Sequence, residues 1–568
     1  MATLFRCDTI IRNAMIIDGT GAPRTMGDVA VTGDRIVAVG DCSATSADTE
    51  IDAGGRVLAP GFIDAHTHDD RALLCGAECL HCKLSQGVTT VVAGNCGVSL
   101  FPLTRDRRPP PPLDLLGDEA WWRYDSFAEY AAALDREPPA VNAIAFVGHT
   151  TLRVREMGDG ELTRAATEAE AERMRARLDE ALAYGAWGLS TGLWYPPAIN
   201  ATTDEVIAVA GALAARGGLY ATHMRDEGDG IITSIEETLA IGAGARVPVI
   251  ISHFKCTGPA NWGRSAETLA RVDRAALTQA VSFDVYPYPA SSTVLMPERL
   301  REEVRVVVTW SVPHPEMQGR DLADVAAEWG VTRREAAERL LPAGAVYFQM
   351  NEDDVRRIIA HPRAMIGSDG LPHDAFPHPR LWGTFPRVLG RYARELGLIT
   401  LEEAVRKMTG LTAATFGIPD RGVIRPGNHA DLVLFDPAVV IDAATFEDPA
   451  KPSPGIERVW VNGVESYRWG DEPGSARERA GRLIRNPRAR PDHPFTAAAL
   501  TALASGRPAA KSLMLASVVE AIAPSASRVK NAWWPVTSTL GNIISRCSAS
   551  SWMISAERSS KNRSASCS

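Results

Sequence analysis

Apolar and polar side chains alternate in short runs along the first sixty residues, which is the pattern of β-strands with one buried face. Examples are CDTIIRNAMIID, DVAVTGDRIVAVG and GRVLAP, and Asp-Gly, Gly-Asp and Gly-Gly turns separate them. The same pattern returns in residues 422–466, in GVIRPGNHADLVLFDP and IERVWVNGVES. We therefore predict a small β-sandwich domain built from both chain ends, residues 1–60 and 419–480.

The middle of the chain alternates apolar runs with helical stretches, which is typical of a parallel α/β fold. Helical material such as TRAATEAEAERMRARLDEALAYG separates most of the runs. There are eight apolar runs: GFIDAHTH, TTVVAGNCG, NAIAFVGH, AWGLSTGL, GLYATHM, VPVIISHFK, AVSFDVYPY and AMIGSDG. Eight strands close a TIM-like (β/α)8 barrel, so we predict one over residues 61–418, with its site at the carboxyl ends of the strands.

Two further segments depart from the barrel pattern. About seventy residues separate the seventh and eighth runs, which is too long for a simple crossover. We predict that about 290–350 form an insertion that folds over the barrel mouth. Residues 481–568 are predicted to be a poorly ordered C-terminal extension, because 509–568 are about one quarter serine and show no periodicity.

Composition narrows the class of protein. The chain of 568 residues is 45% hydrophobic and 23% charged, near the averages for soluble globular proteins. Its net charge of -9, without a basic stripe, argues against nucleic acid or an anionic membrane as a partner. Neither a signal-peptide core nor a run of ~18 apolar residues is present, so we expect a cytoplasmic location. Oligomeric state is not predicted.

Residues that bind metals stand at the ends of five of the eight runs. They are His66 and His68 in GFIDAHTH, Cys96 in GNCG, His223 in ATHM, His253 in ISHFK and Asp369 in GSDG. A single histidine is more often a packed or hydrogen-bonded residue than a ligand. Six candidates at the same end of the predicted strands instead indicate a metal site. The cluster of Cys75, Cys79, His81 and Cys82 is interpreted as structural, because no second cysteine pair completes a tetrahedral site.

The residue types favour zinc. Cysteine and histidine together are ligands for zinc rather than for magnesium or calcium. A set of one cysteine and two histidines leaves a fourth position for water, as in catalytic zinc sites. Zinc lowers the pKa of bound water from 15.7 to about 7. Asp369 would then accept the proton of that water and pass it to the departing amine.

These motifs resemble the amidohydrolase superfamily. GFIDAHTHDD, GNCG, GLSTGLWYPP, ATHMRDEG, ISHFK and GSDGLPHDAFPHPR are similar to its N-acyl-D-amino-acid deacylase branch over residues 5–470. The resemblance implies a zinc-dependent enzyme that hydrolyses N-acyl-D-amino acids to a carboxylate and a free D-amino acid. It also implies that Asp369 is the catalytic acid and base and, with His66 and His68, forms a second, weaker metal position. The tight zinc ligands would be Cys96, His223 and His253.

The fourth run bears on the number of metals. Many amidohydrolases bridge two metals with a carboxylated lysine or a glutamate from this strand. Here the run continues into Leu193, Trp194 and Tyr195, with no such residue at its end. We therefore predict one tightly bound zinc.

Cations and donors near these motifs would bind the carboxylate of the substrate. Arg380 offers a two-pronged contact and Lys255 a point charge. Tyr195 and Tyr286 can donate hydrogen bonds, and the resemblance adds Ser292 and Met350 as pocket residues. His149 is expected to line the site without binding zinc, and His373 and His378 are interpreted as lid or surface residues.

Two other functions stay open. A cyclic-amide or dipeptide hydrolase of the same superfamily would be favoured by a bridging residue on the fourth strand, which is missing. A non-catalytic scaffold with the same barrel would be expected to have lost ligands, whereas all six are present. A small N-acyl amino acid is therefore the predicted partner.

Overall fold

The computed structural model describes residues 6–489, except 473, 474, 476 and 478. Strands from both ends of the chain pair in one connected sheet: Arg6–Ile16, Thr25–Thr32, Arg35–Gly40, Ser46–Asp52, Val57–Pro60, Leu432–Phe435, Ile456–Val461 and Val464–Arg468. Val57–Pro60 and Leu432–Phe435 join the two ends, in antiparallel register. Arg6–Ile16 pairs in parallel with Ser46–Asp52 through its first seven residues and with Val57–Pro60 through Met15 and Ile16. The predicted sandwich geometry stays a prediction.

Eight parallel strands form the predicted barrel. They are Phe62–Asp64, Val88–Ala93, Asn142–Ala145 with its continuation Val147–Gly148, Gly188–Gly192, Leu219–His223, Val249–Ile251, Val281–Val285 and Ala364–Ile366. We number them barrel strands one to eight in this order. The amide of Ala65 donates to the carbonyl of Ile366 at 3.1 Å. A parallel bridge between Thr67 and Gly370 completes the closure between strands one and eight.

Helices surround the barrel, and several of them begin at a side-chain cap. Thr167 and Glu170 form a reciprocal cap that begins Glu168–Ala183, and this cap satisfies amide groups that the helix itself leaves free. The other α-helices of at least seven residues outside the insertion are Phe127–Arg136, His149–Met157, Thr203–Ala210, Ile231–Ala245, Ser265–Ala275, Glu352–Ala360, Arg380–Arg387, Leu401–Met408 and Gly410–Phe416. The short helix His81–Leu84 follows strand one.

The chain between strands seven and eight folds as a unit with its own apolar core. Its antiparallel sheet consists of Ser291–Val294, Arg305–Ser311 and Ala343–Phe348. Two helices, Leu322–Trp329 and Arg333–Leu340, pack with this sheet. Side chains of this insertion line the cavity at the carboxyl ends of the barrel strands.

Residues 481–489 lie against the amino-terminal end of the barrel. The amide of Ile484 donates to the carbonyl of Ala143 at 2.7 Å, and Trp187 Nε1 donates to the carbonyl of Ile484 at 2.6 Å. The rest of the segment predicted to be a poorly ordered extension lies outside the described residues. Across the described part of the chain, no helix combines the length and the apolar character needed to span a membrane. The cytoplasmic location stays a prediction.

Candidate metal centre and active site

The six residues predicted as ligands lie together in one buried cluster at the barrel mouth. Cys96 Sγ is 3.3 Å from Nε2 of both His66 and His253. His253 Nε2 is in turn 3.1 Å from His223 Nδ1. Asp369 Oδ1 lies 3.3 Å from the Nε2 of the sixth residue, His68. Five different barrel strands thus contribute to a single site.

The backbone turns sharply where three of these residues leave their strands. Cys96, His253 and Asp369 have φ values of 53°, 37° and 50°, in the left-handed region that non-glycine residues seldom adopt. Such conformations are found at functional sites when the surrounding structure maintains them. Gly97 follows Cys96, and a Cβ there would lie 2.7 Å from Thr150 Oγ1. The small residues of the GNCG motif therefore allow the chain to turn the thiol toward the histidines.

Charges in the cluster offset the cost of burial. Burial by itself would raise the pKa of Asp369, but Arg380 and His66 hold this pKa well below its usual value. Arg380 Nη1 lies 2.8 Å from Asp369 Oδ2. Burial would also raise the pKa of Cys96, but His66 and His253 hold it well below the usual value. The site therefore favours a carboxylate and a thiolate.

Two buried carboxylates that the sequence analysis missed contact the cluster. Glu227 Oε1 lies 2.7 Å from Lys255 Nζ and 3.1 Å from His253 Nδ1. Burial would raise the pKa of Glu227, but Lys255 and the nearby histidines lower it to about 2. Asp284 Oδ1 accepts a hydrogen bond from the amide of His253 at 2.8 Å. One available signal was the spacing of Glu227, four residues after His223 in ATHMRDEG.

The donor atoms fit a zinc ion. Among the described residues, potential ligand atoms lie within 4.8 Å of one another in two overlapping sets: His66, Cys96, His253 and Asp369 in one, and His223, Glu227 and His253 in the other. A buried thiolate among imidazoles is a soft, partly anionic donor set that suits zinc and disfavours magnesium or calcium. The two sets share His253, and they group the donors differently from the resemblance, which places Cys96, His223 and His253 in the tight position and His66, His68 and Asp369 in the weaker one.

A cavity of about 120 Å³ opens beside the cluster. Of the predicted substrate-binding residues, it is lined by Lys255, Tyr195, Tyr286 and Ser292, as well as by Asp369. Arg380 is buried behind Asp369, and its Nη2 donates to the carbonyl of Ser292 at 2.9 Å. Met350 packs against Tyr286 in the wall of a neighbouring, smaller cavity.

The remaining histidines that the sequence analysis discussed have other partners. His378 is not a surface residue, because it is buried and its Nδ1 accepts a hydrogen bond from the amide of Arg380 at 2.9 Å. It therefore holds the start of the helix that carries Arg380. His149 Nε2 lies 3.2 Å from Glu205, among the barrel helices. His373 is half-buried on the loop after strand eight.

The chain is similar in sequence to known proteins over most of its length. The sequence profile of the Amidohydrolase family matches residues 49–282 and 301–467. A D-aminoacylase of Alcaligenes xylosoxydans xylosoxydans is 53% identical over 477 residues, which is 84% of this chain and 97% of that protein.

Two solved structures have the same fold at high sequence identity. One is a D-aminoacylase described as having a binuclear metal centre with one-metal activation and second-metal attenuation. It is 53% identical, with a TM-score of 0.82, over 84% of this chain and 100% of that chain. The other is an N-acyl-D-glutamate deacylase of Bordetella bronchiseptica, complexed with zinc and a phosphonate mimic of the tetrahedral intermediate. It is 47% identical, with a TM-score of 0.81, over 85% of this chain and 100% of that chain.

Proposed function

The chain belongs to the amidohydrolase family, in its N-acyl-D-amino-acid deacylase branch, and on this premise we propose that it hydrolyses N-acyl-D-amino acids with zinc. The products are a carboxylate and a free D-amino acid. The observation that carries the proposal is the buried cluster of the six predicted ligand residues beside a cavity with Lys255 on its wall. A metal-binding cluster and a cation at one cavity match the two groups that such a substrate presents, an amide and a carboxylate.

The metal would be held by residues that the structure brings together. Cys96, His223 and His253 are the proposed ligands of one tightly bound zinc. The second, weaker position would use His66, His68 and Asp369. Zinc bound here supplies Lewis-acid chemistry, because it polarises an amide carbonyl and lowers the pKa of water.

Asp369 is the proposed proton carrier. Its carboxylate lines the cavity and is kept ionised by Arg380, so it can accept a proton from the attacking water. As the water oxygen bonds to the carbonyl carbon, that proton passes to Asp369. The carbon–nitrogen bond then breaks, and Asp369 returns the proton to the departing amine nitrogen. One carboxyl group thus serves both steps.

Lys255 and Arg380 are proposed to orient the substrate carboxylate. Lys255 lines the cavity, and its Nζ lies 5.7 Å from the ring centroid of Tyr286. Arg380 lies over the same ring at 4.6 Å. Tyr195 and Tyr286 are proposed to donate hydrogen bonds to the carboxylate, and Ser292 and Met350 to shape the pocket. A carboxylate held here would place the scissile amide next to the metal ligands.

Amine release from N-acetyl-D-methionine and N-acetyl-L-methionine, followed with ninhydrin, tests the proposed reaction. We expect turnover of the D form, loss of turnover after chelation and recovery on addition of zinc. Chain treated with chelator and returned to buffer without metal is the control. Turnover of hydantoins or dipeptides in place of the N-acyl substrate would support the alternative hydrolase. A zinc-loaded chain that hydrolyses none of these would support a scaffold.

A second, narrower function is favoured by an arginine on the cavity wall. Arg299 is half-buried, and within the described part of the chain no carboxylate lies at ion-pair distance from it. Its guanidinium lies 5.2 Å from the ring centroid of Trp194, which stacks on His223. The neighbouring Arg301 is already paired with Asp229 at 3.5 Å. An unpaired cation in a substrate cavity favours an anionic side chain, so we propose D-glutamate or D-aspartate derivatives as preferred substrates.

N-acetyl-D-glutamate and N-acetyl-D-glutamine differ in charge but little in size, so the pair isolates this effect. A charged hydrogen bond contributes about 1.5–3 kcal/mol, so the parent should prefer the acid by about 10- to 100-fold in kcat/KM. Arg299→Met should remove the preference and leave the glutamine derivative unaffected. Arg301→Met is the matched control and should keep the preference. An Arg299→Met variant that still prefers the acid would contradict the assignment.

A further inference from the structure

A fully buried group of charged side chains lies behind the metal-binding residues. Lys83, in the helix His81–Leu84, donates from Nζ to Asp64 Oδ2 at 2.9 Å and to Ser368 Oγ at 2.8 Å. Its Nζ also lies 3.3 Å from Asp69 Oδ2. We call these four residues the Lys83 cluster. Each is 0% exposed, and none of them is among the described residues that line the cavity.

The Lys83 cluster fixes Ser368, which immediately precedes Asp369. The amide of Ser368 donates to Asp64 Oδ1 at 2.7 Å. Its hydroxyl oxygen accepts hydrogen bonds from Lys83 and, at 3.2 Å, from the amide of Gly370. The same Asp64 oxygen accepts the amide of His66 at 3.3 Å. One carboxylate therefore binds the backbone of the two chain segments that carry His66, His68 and Asp369, the proposed ligands of the second metal position.

These contacts lie at the seam where barrel strands one and eight meet. Apart from the cluster, the described contacts across this seam include the hydrogen bond from Ala65 to Ile366 and one from the amide of Asp369 to the carbonyl of His66 at 2.8 Å. Asp369 itself has a φ of 50°. A non-glycine residue keeps such a conformation only where its surroundings determine it. The flanking residues of Asp369 must therefore be held in place.

We propose that Lys83 is a positioning residue for Asp369 and acts through Asp64 and Ser368. This inference rests on the proposed function, in which Asp369 carries the proton. The ammonium group neutralises part of the charge of Asp64 and Asp69 and directs Asp64 toward the Ser368 amide. Without it, two carboxylates remain buried with no cation between them, a state that costs much more than a paired one. Release of Ser368 would let the Asp369 carboxylate move from its place beside Arg380.

If Lys83 had only a structural role, its removal would also destabilise the fold, so a matched control is needed. Lys407 is a second fully buried lysine, and it binds the carbonyls of His361 and Ala364, at the beginning of strand eight. The Lys83 cluster binds the end of that strand. Lys407, in the helix Leu401–Met408, contacts the start of the same strand, so Lys407→Met removes a buried ammonium there but leaves the surroundings of Asp369 intact. Its effect measures the cost of losing a buried lysine as such.

The experiment compares zinc-loaded parent, Lys83→Met, Ser368→Ala and Lys407→Met with N-acetyl-D-methionine as substrate. Ser368→Ala is the smaller change and answers the question if Lys83→Met does not fold. We expect kcat to fall by about 10- to 100-fold in Ser368→Ala and Lys83→Met, because small displacements of a catalytic group have effects of this size. KM and zinc content should change little. Lys407→Met should lose stability but keep its kcat.

A double variant and crystal structures complete the test. Asp369→Asn combined with Ser368→Ala should be no slower than Asp369→Asn alone, because both changes remove the same contribution. Crystal structures of zinc-loaded parent and Ser368→Ala should show the Asp369 carboxylate displaced from Arg380 in the variant. An unmoved carboxylate, an unchanged kcat or fully additive losses would overturn the inference. Inactivity of the parent would refute the proposed function instead. The crystal structures would then still show whether the Lys83 cluster positions Asp369.

Discussion

The mouth and the floor of the barrel are equally closed to solvent but are built from opposite kinds of side chain. At the mouth, His66 and Cys96 are at most 1% exposed and lie among carboxylates and an arginine. At the floor, Met365 and Phe416 are as deeply buried but pack in an apolar cluster. Strand five shows the change along one face, since Leu219 belongs to the floor cluster and His223 to the ligand cluster.

This difference separates two uses of burial. At the floor, burial removes apolar surface from water and stabilises the fold by roughly 25 cal/mol per Å². At the mouth, burial of a charge costs free energy, and it is tolerated where the charge has a partner, as Asp369 has Arg380 at 2.8 Å. The mouth also carries the left-handed residues Cys96, His253 and Asp369. We therefore expect changes at the mouth to affect turnover and changes at the floor to affect stability.

The largest expected effect is the loss of the metal in Cys96→Ala. Two imidazoles alone form a weak site, so zinc should fall from about one per chain to a small fraction, and turnover should disappear with it. Elemental analysis after dialysis measures this directly. Cys256→Ala removes another buried thiol and is the control that should keep its zinc. Full zinc content in Cys96→Ala would exclude the thiol as a tight ligand.

Asp369→Asn should separate proton transfer from metal binding. The variant should retain zinc on Cys96, His223 and His253 but lose turnover by about 10⁴-fold, the upper end of the range for general acid–base catalysis. The same dialysed samples serve for zinc analysis and for kcat. A variant within about ten-fold of the parent would mean that the proton travels by another route.

Phe416→Ala, at the floor, should lower stability but not turnover. Phe416 is 1% exposed and its ring lies 6.2 Å from that of Phe146, so its truncation leaves a cavity. We expect the free energy of unfolding to fall by about 3–5 kcal/mol, measured by denaturant titration. At a temperature well below unfolding, kcat should stay within about two-fold of the parent. A large loss of kcat in a folded variant would contradict the expectation that changes at the floor affect stability and not turnover.

Arg380→Lys should have the smallest effect of these changes in free energy, and it tests which group at the mouth Arg380 serves. Lysine keeps the charge but not the planar fork, so kcat/KM for N-acetyl-D-methionine should fall by about ten-fold or more, and by about 100-fold in Arg380→Ala. The amide of the same substrate lacks the carboxylate and is the matched comparison. If kcat/KM falls for the acid but not for the amide, Arg380 binds the substrate carboxylate. If kcat/KM falls equally for both, Arg380 acts on Asp369, with which it is paired.

Sequence periodicity by itself predicted the barrel and the place of the candidate ligands within it. Eight apolar runs predicted eight parallel strands, and a polar ligand at the end of a run must lie at the carboxyl edge of the barrel. His66, Cys96 and Asp369 could therefore be assigned to one site although they are far apart in the chain. This worked because strand alternation and barrel topology are local rules that act on every strand alike.

Only the tertiary structure decided which charges are paired. Glu227 and Lys83 looked like ordinary charged residues in sequence, because the partner of each lies on another segment. Arg380 was predicted to bind the substrate carboxylate, and only the structure shows that it is buried and paired with Asp369. The reason is physical: a buried charge requires a partner within a few ångströms, and such distances depend on how distant strands meet. Sequence spacing therefore predicted where the site lies, and packing determined how its charges are balanced.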